Sequence, residues 1–180
     1  NMTIDYGKSS YLNTDGLKII IEDGDISNLK ILKSHININF KENKKNIKSS
    51  IHTVGGLNFE EIKKISSILG LKIDMFEDIN LESDIKTNFE FHIDKKFKIT
   101  NQSYQAEGKI KNLYLKIKEK KSINNFLPSF NSEVELKNAK IKFLNKSKIQ
   151  TFDLSGEAKF SNQYETLKLN HTYNKKNKKH

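Results

Sequence analysis

The sequence contains no cysteine, no tryptophan and a single proline, Pro128. Without cysteine there can be no disulfide, no thiolate metal site and no cysteine nucleophile. One proline is low for a disordered or linker-rich chain, and the rows of Ile, Leu and Phe exclude wholesale disorder. Arginine is missing too, so all 32 basic residues are lysine. Nucleic-acid readers rely on arginine for bidentate contacts to phosphate and guanine. The six tyrosines, which could stack on bases, are dispersed along the chain. The net charge of +10 therefore reads as solvated strand faces, and no nucleic-acid partner is expected. No stretch approaches 18 consecutive apolar residues, so no segment of this sequence reads as a membrane-spanning helix. No N-terminal signal pattern is present either. The chain opens with Asn1 rather than Met, as an excised or processed piece would, and any anchor or signal is then expected outside it.

Catalytic and metal chemistry are equally sparse. The five histidines, His35, His52, His92, His171 and His180, are scattered, and none has a ligand-type partner at i+2 or i+4. Glu22–Asp25 ("EDGD") lacks the later ligands of a calcium loop and reads as a turn between strands. Two glycines precede a helix in "VGGLN" (54–58), but the Lys-Ser/Thr pair and parallel setting of a phosphate loop are missing. No Ser, His and acid arrangement stands out. The chain is read as a non-enzyme with no cofactor and no metal.

What the sequence does contain is alternation. In "LESDIKTNFEFHID" (81–94), Leu81, Ser83, Ile85, Thr87, Phe89, Phe91 and Ile93 fall on one side and charged or polar residues on the other. Successive strand residues face opposite ways, so this is one strand, or two joined by a tight turn, with one apolar face. Similar strands are expected from "LKIIIED", "GDISNLKILKS", "HININFKE", "NIKSSIHTV", "LKIDMF", "KFKITNQ", "SYQAEGKIKN", "LYLKIKE", "SEVELKN", "AKIKFLN", "IQTFDLSGEAKFS" and "YETLKLNHTY". A short one is expected around Met2–Tyr6 and a polar turn at Glu42–Lys45. The period changes once. "NFEEIKKISSILG" puts Phe59, Ile62, Ile65, Ile68 and Leu69 on one helical face. Asn58 and Glu61 form a capping box, and Gly70 is the stop signal. This predicts a helix over 59–69, too short to stand alone and docked on the sheet. Ser122–Ser132 reads as the longest irregular connection, and 173–180 as a basic tail.

Three phrases share a form, "ISNLKI" (26–31), "IKNLYL" (110–115) and "LKNAKI" (136–141). Each breaks alternation at its Asn, since Ile110 and Leu113, for example, lie an odd number of residues apart. A bulge or sharp bend at Asn28, Asn112 and Asn138 would restore one continuous apolar face, and Asn tolerates the left-handed backbone this requires. The expected fold is mostly β: one single-domain (1–180), long, curled antiparallel meander of about eight to ten strands with one short helix.

The phrases "GKIKNLYLKI" and "LSGEAKFSNQYETLKL", with Gly24, Gly108 and Gly156 in the place of the Gly that opens the typical Gly–strand–bend–strand phrase, resemble the AsmA-like superfamily of bacterial envelope proteins, which includes the YhdP and TamB branches. The resemblance extends over about 17–169. It implies a fragment of a longer chain that repeats this unit and is anchored in the inner membrane by a segment outside it. It also implies a periplasmic β-groove that carries phospholipid acyl chains between inner and outer membrane. Its partners would be phospholipid, neighbouring β repeats and the inner membrane. The candidate groove lining is Ile19, Ile21, Leu29, Ile31, Ile36, Ile38, Phe40, Leu81, Ile85, Phe89, Phe91, Ile93, Leu113, Leu115, Ile117, Ile141 and Phe143. The alternative is a closed β-sandwich or barrel that fills its own core, has no ligand and engages a protein partner with its outer face.

Overall fold

The alternation over 81–94 is realised as part of one unbroken strand. In the computed structural model, which describes residues 2–9, 14–41, 44–68, 73–118, 132–146, 148–159 and 162–174, it belongs to β5 (Phe76–Asp94). The other elements are β1 (Met2–Ser9), β2 (Thr14–Ile26), β3 (Leu29–Lys41), β4 (Lys44–Leu57), α1 (Phe59–Ile68), β6 (Ile99–Ile117), β7 (Glu133–Asn145), β8 (Ile149–Lys159) and β9 (Tyr164–Asn174). All nine strands form one sheet in chain order, every pair antiparallel. The fold is thus mostly β, an antiparallel meander with one short helix. β1 and β9 are its edges and do not pair with each other, so the described strands make neither a closed barrel nor two stacked sheets. At 19 residues each, β5 and β6 span about 60 Å.

Several expected strands merge or move. "KFKITNQ", "SYQAEGKIKN" and "LYLKIKE" fuse into β6, which starts only at Ile99 because Lys95–Lys98 are spent on the turn from β5. "SEVELKN" and "AKIKFLN" fuse into β7. "LKIDMF" yields a strand only from Phe76, whose N–H closes a turn on the Ile73 carbonyl (3.0 Å). Glu22–Asp25 is not a turn but lies inside β2. The reversal comes after Ile26, which pairs with Leu29 across the two-residue turn Ser27–Asn28. "GDISNLKILKS" is therefore split between β2 and β3, and "HININFKE" continues β3. Of the expected basic tail, Tyr173 and Asn174 belong to β9. The rest of that tail, the helix residues Leu69 and Gly70, and most of Ser122–Ser132 lie outside the described residues.

The helix forms as its cap dictates. Asn58 Oδ1 accepts the Glu61 N–H (3.0 Å), and Glu61 Oε2 accepts the Asn58 N–H (2.9 Å). Glu61 also ties α1 to the β2–β3 turn, accepting from Asn28 Nδ2 (2.9 Å) and from the Ser27 hydroxyl. Gly55 lets the same turn pack closely: its φ is 141° and a Cβ there would fall 2.3 Å from the Asn28 carbonyl oxygen.

The alternation breaks are resolved by bulges at two of the three expected places. Glu82 pairs with Asn112 but Ser83 with Ile110, leaving Lys111 as the extra residue. Lys137 pairs with Glu157 but Lys140 with Ser155, so Asn138 and Ala139 together oppose Gly156. Asn138 has the left-handed φ of 50°. At Asn28 the device is the hairpin turn instead, with Ser27 left-handed at φ 56°. Two further bulges begin on left-handed residues: Lys33 (φ 40°) with Ser34 opposite Ile51, and Asn101 (φ 53°) with Gln102 opposite Phe91. The buried Ser34 hydroxyl replaces the missing ladder bonds at its site. It accepts the His52 N–H (2.9 Å) and donates to the Leu32 carbonyl (3.0 Å).

Candidate functional site: the apolar face

Residues directly opposite in an antiparallel ladder share a face, so register alone traces rows across the sheet. One row runs Ile31, Thr53, Ile85, Gly108, Ile141, Leu154, Leu169 from β3 to β9. A second runs Ile19, Ile36, Ser49, Phe89, Tyr104. A third runs Leu57, Leu81, Leu113, Leu136, Ala158. Combined with strand alternation, these rows place all seventeen candidate residues on one face. The bulges at Lys111 and Asn138 put Ile110 with Leu113, and Leu136 with Ala139, on that same face. The rows also recruit residues missing from the candidate set, among them Ile47, Ile51, Leu57, Tyr104, Ile110, Leu136, Phe152, Leu154, Leu167 and Leu169. Alternation in "NIKSSIHTV", "IQTFDLSGEAKFS" and "YETLKLNHTY" is the signal that could have supplied Ile47, Ile51, Phe152, Leu154, Leu167 and Leu169, and the expected bends at Asn112 and Asn138 could have supplied Ile110 and Leu136. Leu57 and Tyr104 follow only once strand pairing is known.

This face is only partly covered. Among the described residues the buried hydrophobic side chains are Ile79, Ile110, Leu136, Ala139 and Ala158. All five lie on the apolar face, toward the end of the sheet where α1 connects β4 to β5. Elsewhere large side chains stay open: Phe89, Leu169 and Tyr173 are 38, 42 and 39% exposed. Tyr104 and Phe143 stack obliquely across it, ring centroids 5.3 Å apart. The chain exposes 13171 Å², whereas a compact globular monomer of 20.9 kDa would expose about 9,000 Å².

The opposite face is a lattice of cross-strand ion pairs and hydrogen bonds. Lys48 meets Glu90 (3.1 Å), His52 Nε2 meets Asp84 (2.7 Å) and Lys111 meets Glu82 (3.2 Å). Asn112 and then Lys111, bonding its carboxylate, hold Glu82 below the ordinary glutamate range. Glu135 is lowered likewise, first by the Tyr164 hydroxyl that donates to it and then by Lys159 (2.9 Å). Burial, and next Glu133, push the Tyr114 phenol up. Exposed pairs of this kind contribute little each, but they fix register and keep this face wet. A depression of about 540 Å³ at the α1 end is lined by Asn28, Asn58, Asn80, Glu82, Asn112, Tyr114 and Glu135, among others. Among the described residues no group of three or more His, Asp or Glu side chains is placed to hold a metal ion, and no helix is long and apolar enough to cross a membrane.

The fold and face define a class by geometry alone: an open, single-layer antiparallel sheet with one continuous apolar side. Beyond that class the comparisons add nothing, for the chain matches no protein-family model, no curated protein and no solved structure.

Proposed function

We propose that the chain is a lipid-binding and lipid-transfer segment of an AsmA-like envelope protein. Its apolar face takes phospholipid acyl chains on the periplasmic side of the inner membrane. The observation that carries this reading is the one-sided sheet: apolar rows cross up to seven strands, and among the described residues no second layer covers them. Acyl chains suit such a surface because apolar burial is non-directional and scales with area. A ligand held this way can shift along the strands without breaking specific bonds, and the charge lattice on the far face leaves only one side greasy. No catalytic residue is needed.

The test is native mass spectrometry of the purified chain, then organic extraction and lipid analysis. Phospholipid should co-purify and be lost in Phe89→Asp, a half-exposed position central to the face, with the circular dichroism spectrum unchanged. A clean ligand-free mass, or lipid retained by Phe89→Asp, would overturn the reading. A protein partner on the same face would then be the one to seek.

A further inference from the structure

At the end of the sheet away from α1, the start of β4 lies beside the β5–β6 turn, Asp94–Lys98. Lys44 pairs with Asp94 and Lys45 with Ile93. Asp94 builds that turn. Its carbonyl accepts the Phe97 N–H (3.0 Å), its N–H donates to the Lys98 carbonyl (3.0 Å), and its Oδ1 accepts the N–H groups of Lys96 (2.8 Å) and Lys98 (2.9 Å). A hairpin of this type closes on a left-handed residue, ordinarily Gly or Asn. Here the residue is Phe97, at φ 57°. A bulky side chain is an outlier in that conformation. Phe97 is also 77% exposed, more than any other large hydrophobic residue described. Neither the turn nor the core therefore accounts for a phenylalanine.

Its surroundings do. Lys44, Lys45, Lys95, Lys96 and Lys98 are all exposed around it. Lys45 Nζ lies 5.4 Å from the Phe97 ring centroid and 5.8 Å from that of Phe40. Asp94, whose Oδ1 accepts two backbone N–H groups, sets a single negative charge against these five lysines. An aromatic ring projecting among lysines at a hairpin tip has the composition of an interfacial membrane anchor: the ring enters at headgroup depth and the ammonium groups meet lipid phosphates. We infer that the β5–β6 turn, with Lys44 and Lys45 at the adjoining start of β4, docks on the surface of an anionic bilayer, with Phe97 the inserted side chain. This goes beyond lipid uptake by the apolar face, and neither activity requires the other.

The sequence has no tryptophan, so Phe97→Trp creates a single fluorescent probe. Its emission should shift to the blue with vesicles of mixed phosphatidylglycerol and phosphatidylcholine, and not with phosphatidylcholine alone. Phe97→Asn suits the turn better and should fold normally, yet weaken vesicle partitioning roughly tenfold. Lys95→Ser and Lys96→Ser should each weaken it about fivefold, and added salt should weaken the parent further. An unshifted emission with the anionic vesicles, or Phe97→Asn partitioning as tightly as the parent, would overturn the inference. Phe89→Asp separates the two readings, since it should lose co-purified lipid while keeping vesicle partitioning.

Discussion

The same substitution, Gly to Ala, should have opposite signs at two places in this sheet. At Gly156 a Cβ would fall 2.5 Å from the Cα and 2.6 Å from the Cβ of Ala139, and 3.0 Å from its nitrogen. Ala139 is fully buried in the β7 bulge, and the obstructing atoms are mostly backbone, so no rotamer change can make room. Overpacking of this kind costs about 1–3 kcal/mol. At Gly24 the nearest atom is Ile21 Cγ2 at 3.6 Å, an ordinary contact, and φ is not in the left-handed region. Ala there restricts the unfolded chain and should stabilise by about 0.4–1 kcal/mol. The two variants should thus differ by about 1.4–4 kcal/mol, or roughly 3–15 °C in Tm for a chain of this size. Urea titration followed by far-UV circular dichroism reads the difference. Adding Ala139→Gly to Gly156→Ala should recover part of the loss, because it removes the Cβ clash but leaves the Cα clash. If Gly156→Ala is as stable as Gly24→Ala, the bulge does not pack as described.

Other consequences are as direct. Asn58→Ala should cost about 1 kcal/mol by uncapping α1, measured as lost stability in the same titration. Ser34→Ala leaves the His52 N–H without its acceptor at a buried bulge and should cost about 1–3 kcal/mol, with faster amide exchange at His52. Glu61 is held below its ordinary value of 4.5, chiefly by the Ser27 hydroxyl and the Asn58 backbone N–H. A carboxylate lowered in the folded state stabilises above its unfolded pKa, and the contribution fades as pH falls through the folded value. Amide protection factors, exchange relative to the intrinsic rate at each pH, should therefore fall around Asn58 and at the Ser27–Asn28 turn below about pH 4.5 in the parent but hardly change with pH in Glu61→Gln.

How much of this was legible depends on how local the cause is. The capping box of Asn58 and Glu61 acts within four residues, and it placed the helix start on Phe59. The alternation of Leu81–Ile93 is a property of one strand, and it assigned a face without any partner. The phase breaks at Asn112 and Asn138 were visible as an odd spacing, and bulges were the expected remedy. The identical break at Asn28 became a hairpin, because whether the chain bends or reverses depends on the neighbour available. Here that neighbour is Gly55, which admits the turn, and Glu61, which bonds it. The length of β6 was equally hidden, since the polar run 100–105 and the phase break at Asn112 read as ends of strands until pairing with the neighbouring strands joins them. The candidate face stopped at Phe143, although Phe152 and Leu154, and Leu167 and Leu169, alternate visibly; register with β7 is what joins them to it.

The strand order has a further consequence. Among the described residues each strand pairs only with the strands before and after it in the chain, so stability is close to a sum of nearest-neighbour terms rather than the property of one indivisible core. Such a ribbon loses structure from its borders inward, β1 and β9 fraying while the long β5–β6 pair persists. A hairpin inserted between any two strands would lengthen the ribbon and widen its greasy side without rearranging what is already paired. Growth by duplication is therefore mechanically simple for this architecture, and the width of the surface it offers is set by the number of strands rather than by any single site.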